Sequence, residues 1–313
     1  MQQEALFLEG YLGKRDIGHK TLAELNDVFA DIVNVLLFQG KHLMKEEELE
    51  DANPRSNYHA NGKVREQQRD VAKFWRKYKV RIALVGLEHQ TKEDTDMPIR
   101  MIGYDGAAYR NQITHSRKKN HERYPVVSLV LYFGHKHRWR APKRLRECFD
   151  IEEALKPYVS DYKINLFEIA YLSDKQVRQF KSDFRIVADY FVQMRRHKDY
   201  TPSRETVKHV DELLTLMRAV TEDDRYEEVQ IDLKKSKNRR VTMCEVLDKV
   251  EARGVEKGLQ KGLQKGKTEG KMEGKMGVLF DLVRDGVLTV NDAAARAGVS
   301  VSTFSRKLKA YNG

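Results

Sequence analysis

The hydrophobic pattern of the chain begins with an amphipathic helix. From Leu22 to Phe38 apolar residues recur at helical spacing, which predicts a helix with one buried face. Asp27 and Asp31 are four residues apart and share a flank of this helix. The next segment, Gln39 to Lys63, contains several turn residues and predicts a long connection with at most short structure.

Apolar, β-branched runs further along predict strands. They are Val80 to Leu87, Pro125 to Gly134 and Leu166 to Leu172. Helical spacing predicts one helix from Met97 to about His115, with proline in its first turn, and another from Lys175 to Met194. Predicted strands and helices are therefore interspersed over the first two thirds of the chain.

Polar side chains follow the first predicted strand. In a strand, Glu88, Gln90 and Lys92 lie on one face and His89 on the other. Asp70 lies eighteen residues before Glu88, and the end of a strand or of a helix is equally consistent with its surroundings. Two carboxylates from neighbouring elements, together with waters, are suitable ligands for Mg²⁺. The hypothesis of a metal site depends on whether Asp70 faces Glu88.

The charge of the chain favours an anionic partner. Lys and Arg number 58 against 47 Asp and Glu, which gives a net charge of +11. Between Arg110 and Arg146 there are eleven basic residues and one acid, Glu122. This bias suits neutralisation of DNA phosphates, and it includes three adjacent candidates for DNA contact, Arg117, Lys118 and Lys119. A well-solvated basic surface is the alternative explanation.

Composition excludes other classes of protein. The 40% hydrophobic content of 313 residues is adequate for a packed core. Cys148 and Cys244 are the two cysteines, too few for a disulfide framework or a cysteine-based zinc site. No apolar run approaches the length of a membrane span, and the N-terminus lacks the pattern of a signal peptide. We therefore expect a globular cytoplasmic protein with no membrane partner.

A glycine repeat sets the third part of the chain apart. Glycine recurs every fourth residue, at positions 254, 258, 262, 266, 270 and 274, with lysines between. In a helix these glycines form one slowly drifting stripe, at a cost of about 1 kcal/mol each relative to alanine. A solvated tether between domains is the preferred interpretation, and a self-associating helix that gives a homo-oligomer is the alternative.

The last segment, from Val278 to Asn312, has the outline of a helix-turn-helix. Two short helices are predicted to meet at Gly298, and Ser300 is a candidate N-cap of the second. Arg306 and Lys307 are then exposed candidates for DNA contact, although many helical hairpins with this outline do not bind DNA. The predicted domains are residues 1–220, a connector at 221–277 and a terminal unit at 278–313.

Several of these segments resemble a known family when they are taken in order. The segments are Phe29-Ala30-Asp31-Ile32-Val33-Asn34, Arg69-Asp70-Val71, Gly86-Leu87-Glu88-His89-Gln90, Met97 to Asp105, Pro125-Val126, Leu131-Tyr132-Phe133-Gly134 and Trp139. Their order is similar to that in the Rpn family of recombination-promoting nucleases, whose members are also described as transposases. The likeness covers roughly residues 20 to 200, and the glycine repeat with its small terminal unit also resembles members of that family.

The resemblance implies an α/β fold with a PD-(D/E)XK, restriction-endonuclease-like mixed sheet flanked by helices, followed by a mostly helical C-terminal region. It also implies a nucleoid-associated DNA endonuclease in which Asp70 and Glu88 bind Mg²⁺ or Mn²⁺. Gln90 stands where the family pattern has lysine, and an acid of the first helix lies nearby. Asp31 is preferred over Asp27 for that role because it lies in the matching segment.

Phosphodiester chemistry suggests further roles. Gln90 carries no charge and cannot act as a base, so it would orient the attacking water by hydrogen bonding. Lys92, on the same face, is a candidate for the missing charge. Arg100 and Tyr104, four residues apart on the helix that begins at Met97, are candidates for DNA contact. The alternative is that Tyr104 packs in the core while Arg100 pairs with a surface acid. Two other classes stay open, a DNA-binding protein without catalysis and an assembly module built on the glycine repeat.

Overall fold

The computed structural model describes residues 22–53, 55–60, 63–68, 70–77, 80–114, 123–235 and 241–311. The chain forms two compact units that are divided between Asp248 and Lys249. This division lies inside the helix Met243–Arg284.

The described strands are β1 (Leu49–Asp51), β2 (Arg55–Ala60), β3 (Lys63–Gln68), β4 (Val71–Lys77), β5 (Val80–Gln90), β6 (Val126–Tyr132), β7 (Asn165–Glu168), β8 (Thr206–Val207) and β9 (Val241–Thr242). The described α-helices are α1 (Asn26–Leu36), α2 (Met97–Thr114), α3 (Asp174–Gln179), α4 (Phe184–His197), α5 (Val210–Thr221), α6 (Arg225–Lys235), α7 (Met243–Arg284), α8 (Val290–Ala297) and α9 (Val301–Tyr311). Short 3₁₀ helices lie at Leu22–Glu24, Glu46–Glu48, Leu145–Cys148, Glu153–Tyr158 and Ile169–Tyr171.

The first unit is built on a mixed sheet with the strand order β1–β4–β5–β6–β7. β4 is antiparallel to both β1 and β5, whereas β5, β6 and β7 are parallel to one another. Parallel strands are covered on both faces, and Leu129, Val130 and Leu131 in the middle of β6 are accordingly fully buried. The predicted α/β class, with a mixed sheet flanked by helices and a helical C-terminal region, is confirmed.

Helices cover the two faces of the sheet. On one face, the Phe29 ring of α1 lies 5.9 Å from Nζ of Lys73 in β4. On the other face, α2 contributes Met97, Met101 and Tyr104 to a buried cluster that also contains Val130, Tyr132, Trp139 and Ile164. The face of each sheet residue follows from the alternation of side chains along a strand.

The segment predicted as one helix from Lys175 to Met194 is two helices. α3 begins at the N-cap Ser173, whose hydroxyl accepts the N–H of Gln176, and it ends at Gln179. The backbone N–H groups of Lys181 and Ser182 are bonded outside the helix, to a carboxylate of α1. Because those N–H groups have a partner elsewhere, α4 begins only at Phe184.

Two other elements differ from the sequence prediction. β7 ends at Glu168 and a 3₁₀ turn follows, in which the Ala170 carbonyl accepts Nε–H of Arg195 at 2.7 Å. The segment from Gln39 to Lys63, predicted as a long connection with at most short structure, contains β1 and β2, and β2 forms an antiparallel hairpin with β3, which begins at Lys63. An Asn61-Gly62 pair between the arms is a sequence signal for such a hairpin.

The C-terminal part of the chain is helical. α7 extends over 42 residues and includes the whole glycine repeat, so the repeat is a helix. α8 and α9 follow, with Gly298 left-handed at φ 70° between them and the Ser300 hydroxyl accepting the N–H of Thr303 at 3.3 Å. Their core contains Met276, Leu279, Phe280, Ala293, Ala294 and Phe304. Among the residues described, no helix is both long enough and apolar enough to span a membrane.

Candidate active site at the carboxyl edge of the sheet

Polar side chains that could bind a ligand lie at one edge of the sheet, where four strands begin or end. The parallel strands β5, β6 and β7 end there, at Gln90, Tyr132 and Glu168. β4 is antiparallel to β5, so it begins at the same edge, directly after Asp70. We call this the carboxyl edge. In α/β proteins with parallel strands this is the usual location of a ligand site.

Asp70 is held at this edge by the end of β5. Val71 pairs with Leu87, and one step further along the antiparallel register Asp70 lies across from Glu88. Oδ2 of Asp70 accepts the backbone N–H of His89 at 2.8 Å and lies 3.3 Å from Nδ1 of the same histidine. The histidine ring is stacked on Phe133 at 5.9 Å. The carboxylate therefore has a fixed position beside the strand that carries Glu88.

The three polar residues expected on one face of β5 are only partly on the strand. Glu88 pairs with Val130 and Gln90 with Tyr132, and the Gln90 carbonyl accepts the N–H of Phe133 at 2.8 Å. The side chain of Glu88 lies outside the described part of the structure. Lys92 lies beyond the end of the strand, where its amine is 3.4 Å from Glu222. The face that the sequence predicts therefore ends at Gln90.

Arg100 and Tyr104 share a face of α2, as their spacing predicts. A guanidinium nitrogen of Arg100 lies 2.6 Å from a carboxylate oxygen of Asp94, and another donates to the Tyr104 hydroxyl at 3.4 Å. Tyr104 belongs to the buried cluster below α2. These contacts give Arg100 a local acidic partner.

The acids of α1 contact later parts of the chain. Oδ2 of Asp31 accepts the N–H groups of Lys181 and Ser182, both at 2.8 Å, and the Ser182 hydroxyl at 2.7 Å. Its Oδ1 is buried and has no hydrogen-bond partner in the described part of the chain. Asp27 binds Lys208 and His209, before α5.

Glu93 and Glu168, which the sequence did not single out, accept hydrogen bonds from backbone groups at the carboxyl edge. Glu93 accepts the backbone N–H groups of Arg140 and Ala141, the latter at 3.1 Å. These bonds, the one from Arg140 above all, lower the pKa of Glu93 below its usual value although burial opposes them. Glu168 accepts the N–H of Trp139 at 2.9 Å. Only the fold brings these backbone groups to the two carboxylates, so no sequence signal identifies the pairs.

The remaining predicted DNA contacts are five basic residues. Arg117, Lys118 and Lys119 lie outside the described residues. Arg306 and Lys307 are exposed on α9, in the second unit.

The carboxylate residues at the carboxyl edge are suitable ligands for a hard divalent cation. Mg²⁺ in proteins commonly has one or two carboxylate ligands and retains several waters. Glu88 is on β5 and Asp70 directly precedes β4, one residue beyond the pair of Val71 with Leu87. Within the side chains that the structure describes, no group of three or more His, Cys, Asp or Glu residues has an arrangement that could hold a metal. A site here would therefore depend on waters or substrate oxygens for its remaining ligands.

The fold and the carboxyl edge define an α/β protein with a two-acid candidate site. The family model described as "Putative transposase, YhgA-like" matches residues 40–227, more than half of the chain, and the chain belongs to this family. The match includes β4, β5, α2 and the whole carboxyl edge. Neither the curated proteins nor the solved structures give a match.

Proposed function

We propose that this chain is a metal-dependent DNA endonuclease that hydrolyses phosphodiester bonds in recombination or transposition. The observation that carries the proposal is the antiparallel pairing of Val71 with Leu87, which supports a position of the preceding Asp70 next to Glu88 at the carboxyl edge. Membership of a transposase family supports DNA as the substrate. The PD-(D/E)XK pattern is the arrangement that the order of Asp70, Glu88 and Gln90 along the chain resembles.

Each residue has a role that follows from its chemistry. Asp70 and Glu88 would hold Mg²⁺ or Mn²⁺, which supplies positive charge for the phosphate oxygens and lowers the pKa of a bound water. The N–H of His89 fixes one oxygen of Asp70, which reduces the freedom that the carboxylate loses on binding a cation. Gln90 would accept a hydrogen bond from the attacking water and orient it.

Gln90 also limits the rate that we expect. A lysine at this position places a positive charge beside the scissile phosphate, and a neutral amide does not. Lys92 does not supply this charge from the same strand, because β5 ends at Gln90 and the Lys92 amine is 3.4 Å from Glu222. We therefore expect a slow enzyme whose activity rises in the Gln90→Lys variant.

A plasmid assay tests the proposal. Supercoiled DNA is incubated with the protein and Mg²⁺, and nicking is compared with that in EDTA and in Asp70→Ala and Glu88→Ala. Loss of one metal ligand should reduce nicking by about 100-fold or more. Glu256→Ala, which removes an exposed carboxylate in the second unit, is the matched control and should nick as the wild type does.

The outcomes separate the classes of protein. Nicking that persists in both aspartate and glutamate variants would contradict the site. DNA binding without nicking in the wild type would favour a DNA-binding protein that lacks catalysis. That second function has its own support in the second unit, where a left-handed Gly298 and the capped α9 form a helix-turn-helix outline that exposes Arg306 and Lys307.

Location follows from the substrate. A DNA endonuclease acts where the DNA is, so we propose association with the nucleoid.

A further inference from the structure

A basic loop crosses the carboxyl edge. It consists of residues His135 to Arg140, with the sequence His-Lys-His-Arg-Trp-Arg, and we call it the basic loop. The hydrogen bond from Phe133 to Gln90 fixes its start beside the end of β5. The hydrogen bond from Trp139 to Glu168 fixes its other end beside the end of β7. The loop therefore lies at the carboxyl edge, between the end of β5, which carries Glu88, and the end of β7.

Two carboxylates and one buried ring determine the shape of the loop. Glu93 binds consecutive backbone N–H groups at its far end, and Glu168 binds the N–H of the preceding residue. The Trp139 side chain is buried, with its ring centroid 5.2 Å from that of Tyr132 in an edge-on contact. The N–H groups of Trp139, Arg140 and the following Ala141 are all bonded, so this end of the loop has little backbone freedom left to lose on binding.

The guanidinium of Arg138 is also positioned. It lies 4.4 Å from the Tyr171 ring centroid and 2.8 Å from a carboxylate oxygen of Glu168. Arg195 lies 4.9 Å from the same ring. Two guanidinium groups are thus held at one tyrosine, next to the loop.

Lys136 and Arg140 differ from Arg138 in the contacts of their side chains. Both are exposed, and neither side chain makes a hydrogen bond or ion pair with another residue in the described ranges. Glu93 fixes the backbone of Arg140, and the exposed Arg140 guanidinium acts on Glu93 only through its charge, not through a hydrogen bond or ion pair in the described ranges. A fixed backbone with exposed positive charges suits recognition of a chain of phosphate groups.

We infer that the basic loop binds the phosphate backbone of DNA at the proposed active site, and that Glu93 strengthens this binding by holding the loop in shape. The inference rests on DNA being the substrate, as proposed above. The negative charge of Glu93 alone would weaken DNA binding, whereas we infer that its hydrogen bonds to the loop strengthen it. An acid close to a phosphate site weakens binding through repulsion, unless its hydrogen bonds to the loop contribute more.

Fluorescence anisotropy with a labelled DNA duplex tests the inference. The measurement is made in EDTA, so it is independent of any cleavage, and over a series of salt concentrations. Lys136→Ala/Arg140→Ala should weaken binding by about tenfold or more and reduce the slope of log affinity against log salt by about two.

The control removes two charges from the opposite edge of the sheet. Lys45 and Lys77 are exposed and both lie near Glu48, which accepts the indole N–H of Trp75 at 2.9 Å. Lys77 pairs with Val80, at the end of β4 far from Asp70. Lys45→Ala/Lys77→Ala should leave the salt slope unchanged. Equal losses in the two double variants would overturn the assignment of the loop.

Two variants of Glu93 separate the effect of its hydrogen bonds on DNA binding from the effect of its charge. Glu93→Ala and Glu93→Gln both remove one negative charge, but glutamine keeps an oxygen that accepts the two loop N–H groups. We expect weaker binding in Glu93→Ala and unchanged or tighter binding in Glu93→Gln. Equal tightening in both variants would overturn the positioning role. Thermal unfolding monitored by circular dichroism checks that both variants fold.

These results are separable from the test of the proposed function. If Asp70→Ala and Glu88→Ala leave nicking intact while the basic-loop variant loses DNA binding, the active-site proposal fails and the binding of DNA phosphates by the basic loop stands. If the wild type binds no DNA in EDTA at low salt, the inference fails, whatever the plasmid assay gives.

Discussion

Asp27 is the residue at which α1 is tied by charge to the turn before α5. Its Oδ2 accepts Nζ–H of Lys208 at 2.6 Å and lies 2.9 Å from Nε2 of His209. Burial alone would raise the pKa of Asp27, but the hydrogen bonds from Lys208 and His209 outweigh it and the pKa lies below the usual 3.8. The hydrogen bond to Asp27 is the main reason that the pKa of Lys208 is raised.

This interaction predicts an acid-sensitive contribution to stability. A depressed carboxyl pKa stabilises the fold fully above the unfolded value near 3.8, and the contribution is lost as the pH falls through the lower folded value. Asp27→Asn should therefore be less stable than the wild type by about 1 kcal/mol at pH 6, with the difference diminishing as the pH falls below 3.8.

Tryptophan fluorescence during urea unfolding measures this difference. Trp75 and Trp139 are the two tryptophans of the chain and both lie in the first unit, so the signal reports that unit. Glu153→Gln is the control, because the Glu153 side chain is 85% exposed. A gap between Asp27→Asn and the wild type that stayed constant from pH 6 to pH 2 would contradict the linkage.

The sequence identified the acids of α1 but not what they contact. Helical spacing places Asp27 and Asp31 on one flank, which follows from local geometry alone. Asp31 binds backbone groups 150 and 151 residues further along the chain, and only the tertiary fold brings those groups to it. The assignment of Asp31 as the acid nearest the active site stays a prediction. Its buried Oδ1 without a hydrogen-bond partner in the described residues is the feature that keeps it of interest.

At the scale of single elements, the glycine repeat shows what periodicity can and cannot decide. A period of four is close to the 3.6 residues of a helical turn, so the stripe of glycines was predictable. Whether the segment is a helix or a flexible tether was not, since each glycine costs a helix about 1 kcal/mol. The structure has a helix, in which Val255, Leu259 and Leu263 are all exposed.

We expect substitution of glycine by alanine to have opposite effects on stability at two places in the second unit. A Cβ added at Gly262 or Gly266 meets nothing within 4 Å, so alanine at either position should stabilise α7 by about 1 kcal/mol. Gly298 has equally open space but a φ of +70°, so alanine there should destabilise the second unit by about 1 kcal/mol. Helicity at 222 nm and its thermal midpoint measure both effects. A loss of helicity in Gly262→Ala/Gly266→Ala would show that the glycines contact another surface in solution.

Strong periodic segments were predicted well and their interruptions were not. β5, β6, α1 and α2 agree with the sequence to within a few residues, because burial dictates their patterns. The break between α3 and α4 has no periodic signal, since it depends on a carboxylate of α1. The hairpin of β2 and β3 did have a signal in Asn61-Gly62, which the turn-rich surroundings obscured.

For the whole molecule, the sequence gives the class of fold more readily than its topology. Alternation of strands and helices indicates an α/β sheet, but the order β1–β4–β5–β6–β7 and the parallel pairing of β5 with β6 depend on long-range contacts. The carboxyl edge exists only because of that pairing. Its basic loop and its clamping acids therefore became visible only with the structure.

Self-association is the property of the whole molecule that α7 suggests. The exposed fractions of Val255, Leu259 and Leu263 are 65%, 72% and 73%, and the residues are spaced by four, so they form an apolar stripe on a helix surface. Exposed apolar patches of this kind favour association, and adjacent glycines allow a second backbone to approach closely. We propose a second copy of α7 as the partner. The full-length protein should then have a mass above 36.5 kDa that increases with concentration, as measured by light scattering after size exclusion.

Two matched variants make this last prediction specific. Leu259→Glu/Leu263→Glu places two charges in the stripe, and we expect the mass to fall to 36.5 kDa at every concentration because burial of those carboxylates is unfavourable. Gln260→Glu/Gln264→Glu adds the same charges beside the stripe and should retain the wild-type mass. A wild-type mass of 36.5 kDa would rule out self-association. A larger mass that both variants retained would place the interface outside the apolar stripe of α7.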